Sequence, residues 1–386
     1  MEATWPQNSL GLYVHIPFCR RKCPYCDFYS VTFADQVQLQ AYTERLCFEI
    51  SACSEDYRGK PVDSIYFGGG TPSLLKPAQI GTVINTMASR FTLLKDLEIT
   101  MEINPATVNR STLEACKTAG INRVSLGLQS LQDKELRVLG RIHSAAAARK
   151  AITAADAAGF HNLSFDLIYG IPGQTITAWM QTLQEAVSFQ PQHISIYLLQ
   201  LESQVPMARA IARGELVLPA EEDIEAMYYQ AIDYLHDKGI VQYEISNLAL
   251  DGYLCRHNLR YWQFGEYLGF GAAAVSRLGG RRWMNAADVD AYMAAGPNRS
   301  EAAQIVLEEM KPRQQAQEAI IMGLRLTNGL NVEAFRRRFG ISLLQEFRPV
   351  VERFTSSGLL ELDHGWLRLT KAGLLVSNQV LCCFVE

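Results

Sequence analysis

The sequence predicts an α/β protein: a partial (β/α)6 TIM-like barrel followed by a small winged-helix-like α+β module. Two observations carry this. From about residue 10 to residue 200, short apolar β-rich runs alternate with longer helical stretches, the pattern of βαβ units and a parallel sheet. Past residue 300 the chain changes to helices and then a hairpin pattern. An open doubly wound sheet is the alternative for the first part. In both architectures functional residues belong at the C-terminal ends of strands.

The expected strands are 12–15, 64–67, 98–103, 123–128, 164–169 and 194–199, separated by helical stretches at 38–52, 79–89, 112–119, 145–158 and 178–188. Residues 201–300 are less regular, with a helix at 221–238, a strand at 242–246 and a turn or linker at Pro297-Asn298-Arg299-Ser300. In the last part, 358–362 and 366–369 read as strands joined by the turn Asp363-His364-Gly365. The domain division is therefore 1–210 for the barrel, 211–300 for an extension and 301–386 for the winged-helix-like module. Such modules often bind DNA, but Arg336-Arg337-Arg338 reads as a solvated helix face.

Of 386 residues, 48% are apolar, enough to bury a sizeable core, and the net charge of −4 gives no basic signature for nucleic acid. Nine cysteines in a chain this long do not make a disulfide scaffold, and their odd number fits a reducing compartment. The start, Met1-Glu2-Ala3-Thr4-Trp5-Pro6, carries no secretory pattern, and no stretch reaches the length of a membrane span. The expected location is the cytoplasm, with peripheral contact at a membrane left open.

Three cysteines stand within eight residues, in Cys19-Arg20-Arg21-Lys22-Cys23-Pro24-Tyr25-Cys26. This C-x3-C-x2-C spacing brings three thiolates to one place. A [4Fe–4S] cluster takes four thiolates, so three leave one iron open to a small molecule. Structural thiols or a zinc site are the alternatives, but structural zinc needs a closed set of four ligands and no second C-x2-C follows. Cys47, Cys53, Cys116, Cys382 and Cys383 read as buried or incidental thiols.

The run from Tyr13-Val14-His15-Ile16-Pro17-Phe18 through the cysteines to Asp27-Phe28 resembles the radical S-adenosylmethionine (SAM) enzymes. It is most similar to the branch holding oxygen-independent coproporphyrinogen III oxidase and the HemW haem chaperones. The resemblance implies that the open iron binds the amino and carboxylate groups of SAM, and that the reduced cluster cleaves SAM to methionine and a 5′-deoxyadenosyl radical. It also implies the partial-barrel fold and a C-terminal module with no DNA role.

Further positions fit this reading. Phe67-Gly68-Gly69-Gly70-Thr71-Pro72 ends the second strand, and glycines let backbone approach a ligand closely. The resemblance sets Gly69, Gly70 and Thr71 beside the methionine end of SAM. Glu102 closes the third strand, where a carboxylate suits the SAM ammonium. Arg141 could pair with the SAM carboxylate; it stands twelve residues after Gln129, the offset the family uses. Surface ion pairing is the plain alternative for both charges. Asp166 lies inside an apolar strand, where an acid is costly unless hydrogen-bonded. The family uses the positions of Gln129 and Asp166 for the ribose hydroxyls. Tyr13 is expected to reach the cluster-bound end, and Tyr25 either flanks adenine or packs.

Two departures separate this chain from the porphyrinogen oxidases. They extend the cysteine motif to C-x3-C-x2-C-x-C, and the fourth position here is Phe28. They also carry a longer extension ahead of the first strand. Far downstream, His257-Asn258-Leu259-Arg260-Tyr261-Trp262 matches H-N-x-x-Y-W, which HemW-like proteins share and which is associated with haem binding. A neutral imidazole is a common haem ligand, and His257 and Tyr261 would share a face of a helix. The bland alternative is a histidine closing a turn with aromatics in the core; Cys255 is a rival ligand. The expectation is a haem chaperone with a [4Fe–4S] cluster, SAM and haem, an electron donor, and haem-requiring acceptor apoproteins, some of them at the membrane. The competing expectation is oxidative decarboxylation of coproporphyrinogen III.

Overall fold

The computed structural model describes residues 9–32, 35–52, 60–295 and 304–385. All six expected barrel strands form: β1 (Leu10–Ile16), β2 (Pro61–Gly69), β3 (Thr92–Ile103), β4 (Arg123–Gln129), β5 (Leu163–Tyr169) and β6 (His193–Leu198). They pair in parallel and in sequence order. Crossover helices fall at Gln36–Ser51, Pro77–Ala88, Arg110–Thr118, Ala145–Ala157 and Ile176–Ser188. Side chains start four of them: Asp35, Asn109, Ser144 and Thr175 each accept a backbone N–H of the first turn, the usual N-cap device.

The middle of the chain extends the barrel sheet at both edges. After β6 the chain adds antiparallel strands Val241–Gln242 and Asn247–Ala249 at one edge. It then returns to the other edge, where Tyr267–Phe270 runs parallel to β1. Val275–Leu278, Arg281–Asn285 and Gln304–Glu309 continue outward in antiparallel order. The strand at 304–309 thus carries the sheet past the division expected at 301. The expected strand at 242–246 is broken, because Glu244 turns away to bridge Leu326. The turn expected at 297–300, the residues at 1–6 and Cys53 lie outside the described residues.

The apolar side chains form two main cores. One lies between the barrel sheet and its helices, with Leu12, Val14, Phe67, Leu126, Phe165 and Trp179 fully buried. The other is built by the C-terminal helices around Ile320, Phe335, Leu367 and Phe384, and Phe264 from the barrel side joins it. The C-terminal hairpin is Leu360–Asp363 with Trp366–Leu369, and His364 and Gly365 both take positive φ at its turn. Arg336 stays exposed beside Glu333 as expected. Arg338 does not: it donates to the Phe264 carbonyl at 2.9 Å and ties the module to the barrel. Among the described residues no helix is long and apolar enough to cross a membrane.

Candidate functional site

Alternation on the barrel strands places polar residues inward at every second position. Arg123, Ser125, Gly127 and Gln129 of β4, Asp166 of β5, and His193, Ser195 and Tyr197 of β6 line one cavity of about 450 Å³. Glu102 at the end of β3 and the loop 19–28 complete it. That volume suits a single small-molecule ligand.

Cys19, Cys23 and Cys26 are free, partly exposed thiols on this cavity. Burial pushes the Cys26 thiol up to about 11, and Cys23 and Cys19 add to the rise, so the three sense one another. Among the described residues no three thiol, imidazole or carboxylate groups converge tightly enough for a single ion. Three thiols on one cavity are the donor set that a cluster with one metal atom per thiolate takes. Their neighbours also fit. Thr71 donates to the Cys19 sulfur at 3.5 Å, and Arg141 Nη1 to the Cys23 sulfur at 3.6 Å. Such hydrogen bonds tune cluster potentials.

The residues expected to hold SAM gather here, with one partial exception. Glu102 accepts from the Tyr66 hydroxyl at 2.9 Å and from the Gly69 N–H. Burial, then the charge of Asp166, pushes its carboxyl up to about 7. Burial likewise lifts Asp166 to about 6, although it accepts from Ser125 Oγ at 3.0 Å. Both acids are thus held above their ordinary range chiefly by burial. Arg141 Nη2 donates to the Gly127 carbonyl at 2.9 Å. Gln129 ends β4 in the left-handed region at φ 65°, and it folds over Gly127, where a Cβ would lie 3.2 Å from its side-chain nitrogen. Tyr25 lines the cavity, hydrogen-bonds Arg141, and packs in a small apolar cluster with Leu139 and Ile168.

Tyr13 is the exception. It does not line the cavity; its hydroxyl lies 3.0 Å from His15 Nδ1 and its ring stacks on Tyr66. Gly69, Gly70 and Thr71 line the cavity, and the two glycines also allow close backbone packing. Gly69 takes φ +106°, and a Cβ there would lie 2.6 Å from the His15 ring. At Gly70 a Cβ would meet the Phe18 and Ile16 carbonyls at 2.8 and 2.9 Å. These two glycines let the loop after β2 lie against β1 and the cysteine loop.

His257, expected as an axial ligand, is packed inside the protein in this structure. It sits on the helix Arg256–Trp262, which shares a face between His257 and Tyr261 as expected. Its ring is fully buried, with Nδ1 3.1 Å from Ser64 Oγ and Nε2 2.8 Å from the Tyr261 hydroxyl. Tyr66 stacks on it at 5.2 Å. Burial holds its pKa down at about 3, so the imidazole is neutral and both nitrogens are engaged. Cys255 is equally buried, 3.7 Å from Glu98 Oε1. Arg260 reaches the Ser9 carbonyl and pairs with Asp63, while Arg325 stacks on Trp262. The H-N-x-x-Y-W segment therefore locks β1, β2 and the C-terminal module together, and only Asn258 of it reaches the cavity.

Sequence reasoning missed Tyr66, Arg123, His193, Ser195, Tyr197 and Asn258 as cavity residues. For Arg123 the signal was present: it stands an even number of positions before Gln129 on the same strand, whereas β6 carried no predicted site residue from which to set its facing. For Asn258 there was none, since nothing local tells which end of the barrel its helix closes.

Comparison with known proteins agrees with this fold. Residues 13–186 match the radical SAM superfamily, and residues 310–376 the HemN C-terminal domain. A protein of Lactococcus lactis named heme chaperone HemW is 32% identical over 374 residues, 97% of each chain. HemW of Escherichia coli is 37% identical over 70% of each chain. A mitochondrial radical SAM domain-containing protein of Bos taurus is 34% identical, covering 96% of this chain and 86% of its own. The solved coproporphyrinogen III oxidase of Escherichia coli shares the fold, with a TM-score of 0.84, 22% identity, and coverage of 99% of this chain and 91% of that one. The chain belongs to the HemW family of the radical SAM superfamily.

Proposed function

We propose that this protein is a haem chaperone, which binds haem and passes it to haem-requiring apoproteins on a scaffold that holds a [4Fe–4S] cluster and SAM. The observation that carries the reading is full-length similarity, 97% of both chains, to a protein named heme chaperone HemW. Cys19, Cys23 and Cys26 would hold the cluster. Glu102, Arg141, Gln129 and Asp166 would hold SAM by its ammonium, carboxylate and ribose. When bound, the cluster supplies an electron and an open coordination position.

This chain's own residues orient and neutralise the ligand. Glu102 offers a carboxylate held by Tyr66 and Gly69. Arg141 is held in place by the Gly127 carbonyl. The acceptors we propose are haem enzymes, including membrane-associated ones, and an electron donor serves the cluster. The test is an anaerobic haem titration beside an assay with coproporphyrinogen III and SAM. Haem binding without decarboxylation is the expected result. Decarboxylation without haem binding would select the oxidase reading instead.

A further inference from the structure

The loop that carries the three thiols also carries Arg20, Arg21 and Lys22, set between Cys19 and Cys23 and all exposed. We propose that this cationic face is where the electron donor docks, and that the donor is a small acidic protein with a one-electron prosthetic group. The inference rests on the reading of Cys19, Cys23 and Cys26 as cluster ligands and adds the surface and the charge of the partner.

Main-chain oxygens, not acids, hold the three cations. Arg20 Nη1 donates to the Ala106 carbonyl at 3.4 Å, Arg21 Nη2 to the Arg141 carbonyl at 3.2 Å, and Lys22 Nζ to the Phe28 carbonyl at 3.1 Å. A carbonyl fixes such a side chain without cancelling its charge, and it leaves most of the donors of a guanidinium or ammonium free. Two short helices bring more cations to the same loop. Asp133–Val138 ends against it, where a Cβ at Gly140 would lie 2.6 Å from Pro24. Pro206–Ala212 meets it too, the Met207 N–H donating to the Pro24 carbonyl at 2.9 Å. Lys134 and Arg137 of the first helix and Arg209 of the second are exposed. Among the described residues none of these six cations forms an ion pair with a carboxylate. Segments 19–28, 133–141 and 206–213 hold eight lysines and arginines against three acids, in a chain whose net charge is −4. Positive charge is thus gathered where the thiols are, against the sign of the whole.

That placement selects the partner. A protein drawn to these cations comes to rest over partly exposed thiols. Electron transfer falls steeply with distance, so such a partner has a short path to whatever the thiols hold. Nucleic acid or an anionic membrane gains nothing from meeting them. Opposite charge across a face of this kind speeds encounter and sets orientation more than it adds affinity, which suits a donor that leaves after each delivery. The donor is oxidised by one electron and the group on the thiols is reduced by one; no bond forms or breaks and no proton moves.

The experiment uses the full chain with its cluster reconstituted anaerobically. Flavodoxin hydroquinone, an acidic flavin carrier, is the probe, and photoreduced deazariboflavin is the neutral control. Bleaching of the cluster's visible absorption gives the rate of reduction. Wild type is compared with two double variants: Arg20→Gln with Lys22→Gln inside the loop, and Arg137→Gln with Arg209→Gln outside it, which decides the matter if the loop variant takes up no iron. Each should slow reduction by flavodoxin about tenfold at low salt and leave the deazariboflavin rate unchanged. Wild type in about 0.5 M salt should fall to the variants' rate. Wild-type flavodoxin rates in the iron-loaded variants would overturn the docking face and leave the cluster reading standing. So would a wild type that deazariboflavin reduces and flavodoxin does not. Vesicles of phosphatidylglycerol that bind wild type but not the variants, with flavodoxin rates unaltered, would make this a membrane face instead. Wild-type protein that takes up no iron would overturn both readings.

Discussion

The Tyr66 hydroxyl donates to Glu102 Oε1 at 2.9 Å. It is one of two bonds, with the Gly69 N–H, that favour the ionised carboxylate, while burial and Asp166 oppose it and the balance leaves the pKa at about 7. An ammonium ligand needs Glu102 ionised, so a proton competes with SAM. SAM affinity should hold above about pH 7 and fall toward tenfold per unit below it. In Tyr66→Phe one of the favouring bonds is lost, so the midpoint should move to higher pH. Equilibrium dialysis of SAM across the pH range checks this; an affinity flat from pH 5.5 to 8.5 would remove Glu102 from the ammonium site.

Each of Cys19→Ser, Cys23→Ser and Cys26→Ser should abolish the cluster, since among the described residues no other cysteine lines this cavity. Iron content and visible absorption of the reconstituted protein measure it. A single variant with full iron would show that the ligand set is wrong.

His257→Ala should lower stability and leave haem alone. The truncation empties a buried site and strands the Ser64 and Tyr261 hydroxyls, a loss of about 2–4 kcal/mol. Thermal unfolding should show a reduced Tm, while the absorption maximum of bound haem in the folded variant stays where wild type has it. A shifted spectrum with unchanged Tm would restore the axial role.

Phe28→Cys should not confer coproporphyrinogen oxidase activity. The three thiols of the cluster motif are already present on the cavity, and position 28 is on the exposed rim. A fourth thiol there alters the rim without altering the cavity beneath. Product formation by the variant under anaerobic assay would show that this position alone separates the two activities.

Much of the barrel was legible because its strands are apolar runs with helical stretches between them, and Glu102 and Asp166 stood out as acids inside such runs. What was not legible is what depends on distance across the fold. His257 carries the sequence signs of a ligand, yet it packs against Ser64 and Tyr66, nearly two hundred residues earlier, a contact that no local pattern shows. Gly69 and Gly70 line the cavity, and their missing side chains also make room for His15 and for the Ile16 and Phe18 carbonyls, which no local sequence signal shows. His193, Ser195 and Tyr197 gave no sign of facing the cavity until the sheet set their strand beside β5.

The most direct test of the central claim is haem transfer. The cluster-bearing protein is loaded with one equivalent of haem, mixed anaerobically with an apo-haemoprotein, and the Soret band of the acceptor is followed. The account predicts that acceptor holo-protein forms at the expense of the haem-loaded chain, while coproporphyrinogen III and SAM give no decarboxylated product. Failure to bind or release haem, together with turnover of coproporphyrinogen III, would contradict it.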